Sequence, residues 1–236
     1  MTWLALDTSG PRASVAAGAP GAEPARGSVE GSRVHASRLL PLVDEVLARA
    51  RMRLLDVTDL ALTDGPGSFT GLRVAATVAK ALARTRGVRV HTAPALLASA
   101  AFHLERAGGA PVLSLSDALR GEVYAGAWTL VGGRVRAVLA PRAVRPAELP
   151  SLLERPVVAL GRLPAALAAE LESWCGAVDE PADGAMGLFR LAALGGGLSP
   201  VDDLESWEPD YGRPAEAQAR WEAAHGRALP DPARHS

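Results

Sequence analysis

The chain opens with short apolar runs separated by turn residues. Residues 4–6 and 14–17 are predicted to be strands of a β-hairpin, joined by a turn at residues 7–11 that contains Asp, Ser, Gly and Pro. Residues 18–32 are rich in Gly, Ala, Pro and Ser, which predicts a loop or an edge hairpin. The first secondary structure of the chain is therefore predicted to be β.

From His35 the apolar spacing changes to three and four residues, the repeat of one helical face. An amphipathic helix is predicted over residues 35–50. Its apolar positions are Leu39, Leu42, Val43, Val46 and Leu47. The rest of the first half predicts a strand at 59–63, a Gly-rich connection, an Ala-rich helix at 72–83, a strand at 88–92 and a helix at 94–104.

After the Gly- and Pro-containing residues 108–111 the pattern restarts with a strand, an acidic turn and further strands. The predicted elements are strands at 112–115, 122–130, 135–139, 157–160 and 177–178, and helices at 146–154, 164–173 and 185–194. Because a strand, an acidic turn and αβ units occur in both halves, we expect an α/β fold with two duplicated subdomains. The predicted limits are 1–107 for the first subdomain, 108–197 for the second, and 198–236 for a Pro-rich tail that packs back on the body with one short helix near 215–225.

The composition of the chain excludes or disfavours several classes of function. The 236 residues carry a net charge of −1, which is a poor match to a polyanion, so we do not expect the chain to bind RNA tightly by itself. Cys175 is the only cysteine, which excludes an internal disulfide and a cysteine-cluster metal site. No apolar run approaches the roughly 20 residues of a membrane span, so we expect a soluble, cytoplasmic protein without a membrane partner.

The segment from Asp64 to Arg73 lies between a predicted strand and a predicted helix, where free amides favour an anion. A phosphate cradle is one interpretation. A P-loop is excluded because Leu72 and Arg73 follow Gly71 where Lys and Ser or Thr are needed. The other interpretation, favoured on physical grounds, is a tight turn in which the glycines supply unusual backbone angles and Ser68 or Thr70 caps the helix.

Two acidic turns are candidates for residual nucleotide binding. Asp7, Thr8 and Ser9 follow the first strand, where actin-like ATPases place an acidic residue and hydroxyls near a metal-bound phosphate, and Asp117 begins the corresponding turn of the second half. The alternative is that Asp is simply a favoured turn residue. Thr8 stands where such ATPases usually have Gly, which favours lost or degenerate binding. The five histidines are isolated in the sequence, so we predict no metal site and no catalytic residue.

Several segments together resemble the TsaB family, also called YeaZ, of proteins for threonylcarbamoyladenosine biosynthesis in tRNA. The segments are LALDTS at 4–9, HASRLLPLVDEVL at 35–47, DGPGSFTGLR at 64–73, DA at 117–118, RGEVY at 120–124 and PDYGRPAEA at 209–217.

The resemblance implies an actin-like ATPase (ASKHA) fold with mixed sheets. It also implies a non-catalytic scaffold subunit that dimerises with a catalytic TsaD-like subunit and acts with a TsaE-like ATPase, or forms a homodimer when alone. In this complex a threonylcarbamoyl group is transferred to the adenosine next to the anticodon of tRNAs that read A-starting codons. No cofactor is expected, although the resemblance leaves room for residual ATP or ADP binding at the partner interface. Contact with tRNA would occur only through the complex.

In the TsaB family, the two helices of the first subdomain form the surface that contacts the partner protein. Carried over to this chain, the interface residues are His35, Leu39, Leu42, Val43, Val46, Ser68, Phe69, Thr70, Leu72, Arg73, Ala75, Ala76 and Ala79. A bulky charged residue at Ala75 or Ala79 is then predicted to weaken pairing without unfolding the monomer; the alternative is that these alanines belong to the core of the monomer. Two alternatives stay open from the sequence. One is an actin-like ATP-binding kinase or ATPase, and the other is an M22-type glycopeptidase, for which no metal site is legible.

Overall fold

The computed structural model describes residues 1–19, 21–31, 35–156 and 158–212, and places them in two mixed sheets flanked by helices. The elements of the first half are β1 (Trp3–Asp7), β2 (Arg12–Gly18), β3 (Ala25–Glu30), α1 (His35–Arg49), β4 (Asp59–Thr63), α2 (Phe69–Arg86), β5 (Arg89–Ala93) and α3 (Ala95–Leu104). Those of the second half are β6 (Val112–Asp117), β7 (Val123–Val131), β8 (Arg134–Val144), α4 (Leu149–Leu152), β9 (Val158–Arg162), α5 (Ala165–Cys175), β10 (Val178–Asp179), α6 (Gly184–Leu191) and β11 (Ser199–Pro200).

The first sheet has the strand order β11-β5-β4-β1-β2-β3. Strands β1, β4 and β5 run parallel, while β2 and β3 continue the sheet as an antiparallel meander. Four consecutive residues of β1 are buried, as expected for a strand covered on both faces. The Gly- and Ala-rich segment after β2 thus contains the edge strand β3, which confirms the hairpin interpretation of that region over the loop interpretation.

Helices cover both faces of this sheet. The apolar stripe of α1 packs with buried residues of β1 and β4 and with Ala75 and Ala79 of α2, so α1 and α2 share one face. On the opposite face, α3 and α6 pack together and extend the core to the second sheet, where it includes Val112 and Trp128. The predicted amphipathic helix is confirmed, and its stripe is explained by burial against the sheet beneath it.

The second sheet has the order β10-β9-β6-β7-β8. Strands β7 and β8 form a long hairpin, and irregular register after Ala125 and Ala127 lengthens β8 to 11 residues, beyond the predicted end at residue 139. The outer face of the sheet carries a separate core that includes Leu113, Leu149 and Leu171. The predicted helix over 146–154 was wrong in extent: it is a 3₁₀ turn followed by the single turn of α4, because Pro146 and Pro150 lack the amide donor that a longer helix needs.

Sheet membership does not follow the order of the chain. Helix α6 comes from the second half but packs on β1, β2 and β4, and β11 pairs with β5 at the edge of the first sheet. The two sheets are therefore tied together by late elements, and the subdomain limits predicted at 107/108 and 197/198 stay predictions. The helix predicted near 215–225 lies outside the described residues.

Candidate functional site

An open cleft of about 1290 Å³ lies between the two sheets. The turns after β1 and β6 contribute Asp7, Ser9 and Asp117 to its lining, and the start of α6 closes one side with Asp183 and Gly184. The structure thus brings together the two acidic turns that the sequence singled out. Their surroundings, however, are different.

Asp7 is held by the chain's own groups. Its Oδ1 accepts hydrogen bonds from the Ser9 amide at 3.0 Å, the Ser9 hydroxyl at 2.7 Å and the Thr63 hydroxyl at 2.8 Å. The backbone of Gly184 lies so close to Oδ2 that an added Cβ would overlap the carboxylate. Oδ1 is therefore engaged within the protein and links β1 to β4, while Oδ2 leaves no room for a side chain at position 184 of α6.

Thr8 faces away from the cleft. Its side chain is fully buried, and its hydroxyl donates to the Gly71 carbonyl at 2.7 Å in the first turn of α2. Of the three residues predicted for residual nucleotide binding in this turn, Asp7 and Ser9 line the cleft and Thr8 supports the neighbouring helix. A hydroxyl at this position thus has a structural partner that the sequence does not reveal.

The Gly-rich connection between β4 and α2 is filled by backbone from elsewhere in the chain. Gly65 has φ of 120° and lies against the Asp210 carbonyl, while Gly67 lies against Ser9, whose carbonyl accepts from the Ser68 amide at 2.7 Å. Ser68 caps α2, since its hydroxyl accepts from the Gly71 amide at 3.2 Å. This cap starts α2 three residues before the predicted start. The described contacts correspond to the tight-turn interpretation of the segment.

Nothing in the sequence marks Asp64, at the end of β4, as a carboxyl group with an altered pKa. The pKa of its carboxyl is raised to about 6: burial is the largest cause, a hydrogen bond with Thr92 acts in the opposite direction, and the nearby Asp210 adds to the rise. The Asp210 amide donates to the Asp64 carbonyl at 2.7 Å, which brings the tail to this carboxyl. No sequence signal connects two residues so far apart in the chain.

A second unpredicted cluster lies at the start of β4. Burial would raise the pKa of Asp59, but hydrogen bonds from Arg89, Thr58 and His91 outweigh it and hold the pKa below its ordinary value. The Arg89 guanidinium binds both carboxylate oxygens, at 2.9 and 2.8 Å, and His91 Nε2 lies 3.0 Å from Oδ1. His91 also packs on Trp3, with ring centroids 4.8 Å apart. The cluster stabilises the adjoining ends of β4 and β5.

The turn after β6 is open. Asp117 accepts only from the Leu119 amide, at 2.7 Å, among the hydrogen bonds described for its side chain. Leu119, Arg120 and Gly121 have consecutive positive φ values of 62°, 56° and 78°. Leu119 is 67% exposed at the cleft mouth. This turn exposes an apolar side chain in a backbone region that residues with a Cβ rarely adopt.

Most apolar residues predicted for the partner interface are buried inside the monomer. The buried ones are Leu39, Leu42, Val43, Val46, Leu72, Ala75, Ala76 and Ala79. Six of them pack in the core with the first sheet, so a charged residue at Ala75 or Ala79 would disturb that core as well as any pairing. Their role in a partner interface stays a prediction. Phe69, Thr70 and Arg73 are exposed, Ser68 is half-buried, and the His35 side chain lies outside what the structure describes.

The tail packs along α2 through a hydrogen bond and ion pairs. The Arg73 guanidinium stacks over the Phe69 ring at 4.0 Å and donates to the Tyr211 hydroxyl at 3.2 Å. Lys80 and Arg84 of α2 form ion pairs with the tail residues Glu208 and Glu205, at 3.4 and 3.3 Å. One flank of α2 is therefore covered by residues 201–211.

Within the described ranges, no three His, Cys, Asp or Glu side chains are grouped so that they could hold a metal ion. In the same part of the chain, none of the helices combines the length and the apolar character needed to cross a membrane. Cys175 is buried, and burial raises the pKa of its thiol.

Comparison with known proteins gives a consistent result. Residues 29–168 match the family model described as TsaD: tRNA N6-adenosine threonylcarbamoyltransferase. The tRNA threonylcarbamoyladenosine biosynthesis protein TsaB of Haemophilus influenzae is 41% identical over 126 residues, 52% of this chain and 52% of that protein. The Bacillus subtilis protein of the same name is 29% identical over 229 residues, 94% of this chain and 98% of its own length. The alignment thus spans about half of one relative and nearly all of the other.

Two solved structures are similar to this chain. YeaZ from Pseudomonas aeruginosa superimposes with a TM-score of 0.59 at 31% identity, over 68% of this chain and 74% of that one. A further Pseudomonas aeruginosa protein with similarity to peptidase YEAZ has a TM-score of 0.70 at 28% identity, over 90% of this chain and 99% of that one. The two mixed sheets around a cleft are the actin-like ATPase (ASKHA) fold that the sequence predicts. The chain belongs to the TsaB (YeaZ) family.

Proposed function

We propose that this chain is a non-catalytic subunit of the complex that transfers a threonylcarbamoyl group to the adenosine next to the anticodon of tRNAs that read A-starting codons. Family membership supports a role in threonylcarbamoyladenosine biosynthesis in tRNA. The observation that carries the non-catalytic part is the first acidic turn. Oδ1 of Asp7 accepts from Ser9 and Thr63, and Gly184 lies directly against Oδ2, so the carboxylate supports the fold.

The proposed partner is a TsaD-like catalytic subunit. The outward faces of α1 and α2 lie side by side on the first sheet and supply the contact surface. Leu40 is 56% exposed on α1, and Phe69 is 38% exposed at the start of α2. Exposed short side chains at Thr70, Thr77 and Ala81 leave room for a close-packed helix. A second copy of the chain would occupy this surface in the absence of the partner, and a TsaE-like ATPase would join the assembled pair.

The pairing surface is tested at Ala81, which is exposed on α2. Ala81→Arg places a long charged side chain in the proposed contact without entering the core, and we expect the dissociation constant for the TsaD-type subunit to rise at least about tenfold, which corresponds to about 1.4 kcal/mol. Titration calorimetry measures the change. Ala169→Arg, at an exposed alanine of α5, is the matched control and leaves pairing unchanged. Equal affinities for the two variants would refute this surface.

The chain is proposed to need no cofactor of its own. Titration of the isolated protein with ATP and magnesium is then expected to give no saturable heat, and any ATP or ADP binding is expected only after the TsaD-type subunit is added. Tight binding and turnover by the chain alone would replace the scaffold proposal with the kinase or ATPase alternative.

Reconstituted threonylcarbamoyl transfer decides whether the subunit is needed. The TsaD-type and TsaE-type proteins are assayed on an unmodified tRNA transcript, with this chain or with its Ala81→Arg variant. We expect transfer to depend on the wild-type chain and to fall with the variant. Equal transfer without the chain would contradict the proposed function.

A further inference from the structure

The β7–β8 hairpin carries an isolated concentration of positive charge. From Val123 to Ala147 the sequence has no acidic residue and four arginines, although the whole chain has a net charge of −1. Arg134, Arg136 and Arg142 belong to β8, and Arg145 directly follows it. A balanced chain that concentrates one sign of charge on one hairpin has a local electrostatic field that its net charge conceals.

In the described part of the chain, no carboxylate lies within ion-pair distance of these four arginines. Elsewhere, arginines pair with Asp or Glu at seven positions: Arg12, Arg49, Arg53, Arg84, Arg89, Arg162 and Arg190. The guanidinium groups of β8 are thus available for an external anion, and their planar forks suit phosphate oxygens.

Three of the four share one face of the sheet. Arg134, Arg136 and Arg142 lie opposite Val131, Thr129 and Ala125 of β7, residues that alternate regularly on one side of that strand. All three arginines are exposed. Their partners on β7 span six residues, so the row is about 20 Å long at roughly 3.3 Å per residue. We call Arg134, Arg136 and Arg142 the arginine row.

The backbone holds this row in place. The Val135 amide donates to the Gly195 carbonyl at 2.8 Å, and the Gly195 amide donates to the Gly133 carbonyl at 3.1 Å, so the hairpin tip is tied to the segment after α6. The bulges of β8 lie between Arg136 and Arg142 and keep both on the same face despite the extra residues. The row is therefore a preorganised strip of positive charge rather than a set of loop side chains.

We propose that the arginine row contacts the phosphate backbone of the tRNA substrate when this chain is part of its complex, an inference that rests on the proposed function. Successive phosphates along a nucleic acid strand advance about 3.4 Å along the helix axis, so a row of about 20 Å reaches several of them. Backbone contacts of this kind position a nucleic acid without reading its sequence. The row lies on the second sheet, whereas α1 and α2 lie on the first, so pairing and tRNA contact use different surfaces.

The test uses the full chain assembled with its TsaD-type subunit and an unmodified tRNA transcript. Fluorescence anisotropy gives Kd between about 50 and 200 mM salt, and three lost phosphate contacts lower the slope of log Kd against log salt by about 2 to 3. We expect Arg134→Gln/Arg136→Gln/Arg142→Gln to show this loss and the triple lysine variant at the same positions to retain most of the slope. Arg26→Gln/Arg51→Gln/Arg106→Gln removes the same charge from exposed arginines elsewhere and leaves the slope unchanged.

Size-exclusion chromatography of each complex separates the two proposals. Normal pairing with equal slopes for the row variant and its control contradicts the inference alone. A wild-type chain that does not pair contradicts the proposed function and this inference with it. If polyglutamate competes with tRNA for the row as strongly as unlabelled tRNA, an acidic protein is the occupant and the tRNA assignment is overturned.

Discussion

The turns that follow β1 and β6 stand at corresponding positions of the two halves, and each begins with an aspartate that lines the same cleft. Asp7 accepts three hydrogen bonds on one oxygen and meets the backbone of α6 at the other. Asp117 accepts one hydrogen bond, from its own turn, beside an exposed Leu119. The first turn is built into the core, and the second is open to solvent.

This difference shows how a duplicated fold can use one position in two ways. In the first half, α6 and the tail return from the end of the chain and occupy the space beside the strand ends. In the second half no described element closes over the Asp117 turn in this way. A carboxylate with several internal partners stabilises the fold, whereas one with a single local partner contributes little and stays available.

The largest expected effect is at Gly184, which lies against the first turn, compared with Gly121 of the second turn. Gly184→Ala places a Cβ against the Asp7 carboxylate, and we expect the free energy of unfolding to fall by at least about 3 kcal/mol, measured by urea denaturation. At Gly121 an added Cβ meets no other atom, so Gly121→Ala is opposed only by the positive φ of this residue. This lowers the free energy of unfolding by about 1 kcal/mol. Equal costs would remove the contrast between a closed and an open turn.

A pH effect of about 3 kcal/mol is expected from Asp64 in the closed half. Its pKa is raised from 3.8 to about 6, so the folded chain keeps a proton that the unfolded chain releases between these values. The resulting stability is full below about pH 4 and is lost as the pH rises through 6. Relative to wild type, Asp64→Asn therefore gains about 3 kcal/mol between pH 4 and pH 7.

Denaturant midpoints across this pH range measure the difference between the two proteins. Asp210→Asn is a useful second variant, since burial is the larger cause of the shift and Asp210 the smaller. We expect it to reduce the pH-dependent difference only in part. If the free energies of unfolding of wild type and Asp64→Asn change with pH in parallel, the Asp64 carboxyl is not buried as described.

The smallest expected effect comes from removing the two aspartates. Asp7→Ala leaves the buried Thr63 hydroxyl and the Ser9 donors without their acceptor, which costs about 2 kcal/mol of unfolding free energy. Asp117→Ala loses one hydrogen bond within an exposed turn and costs about 0.5 kcal/mol. Thermal unfolding compares the two variants directly. A larger loss for Asp117→Ala would reverse the comparison.

Sequence reasoning succeeded where the signal was local. The stripe from Leu39 to Leu47 identified α1, and Ser68 was one of two predicted caps for α2. It did not decide the role of the same stripe, because the repeat that marks an apolar face does not say whether a sheet of the same chain or another protein covers it. Ala75 and Ala79 show this most clearly, since both are fully buried in the monomer.

The sequence by itself determined the family, the α/β class and the position of both acidic turns, because these depend on short motifs and on periodicity within one segment. Only the tertiary structure decided that Asp7 is held by Ser9 and Thr63, that Asp64 holds its proton to about pH 6, and that the arginine row lies on one face. Each of these depends on backbone that comes from another element, and the hydrogen bonding, burial and facing of a side chain are set by the neighbours that folding brings to it.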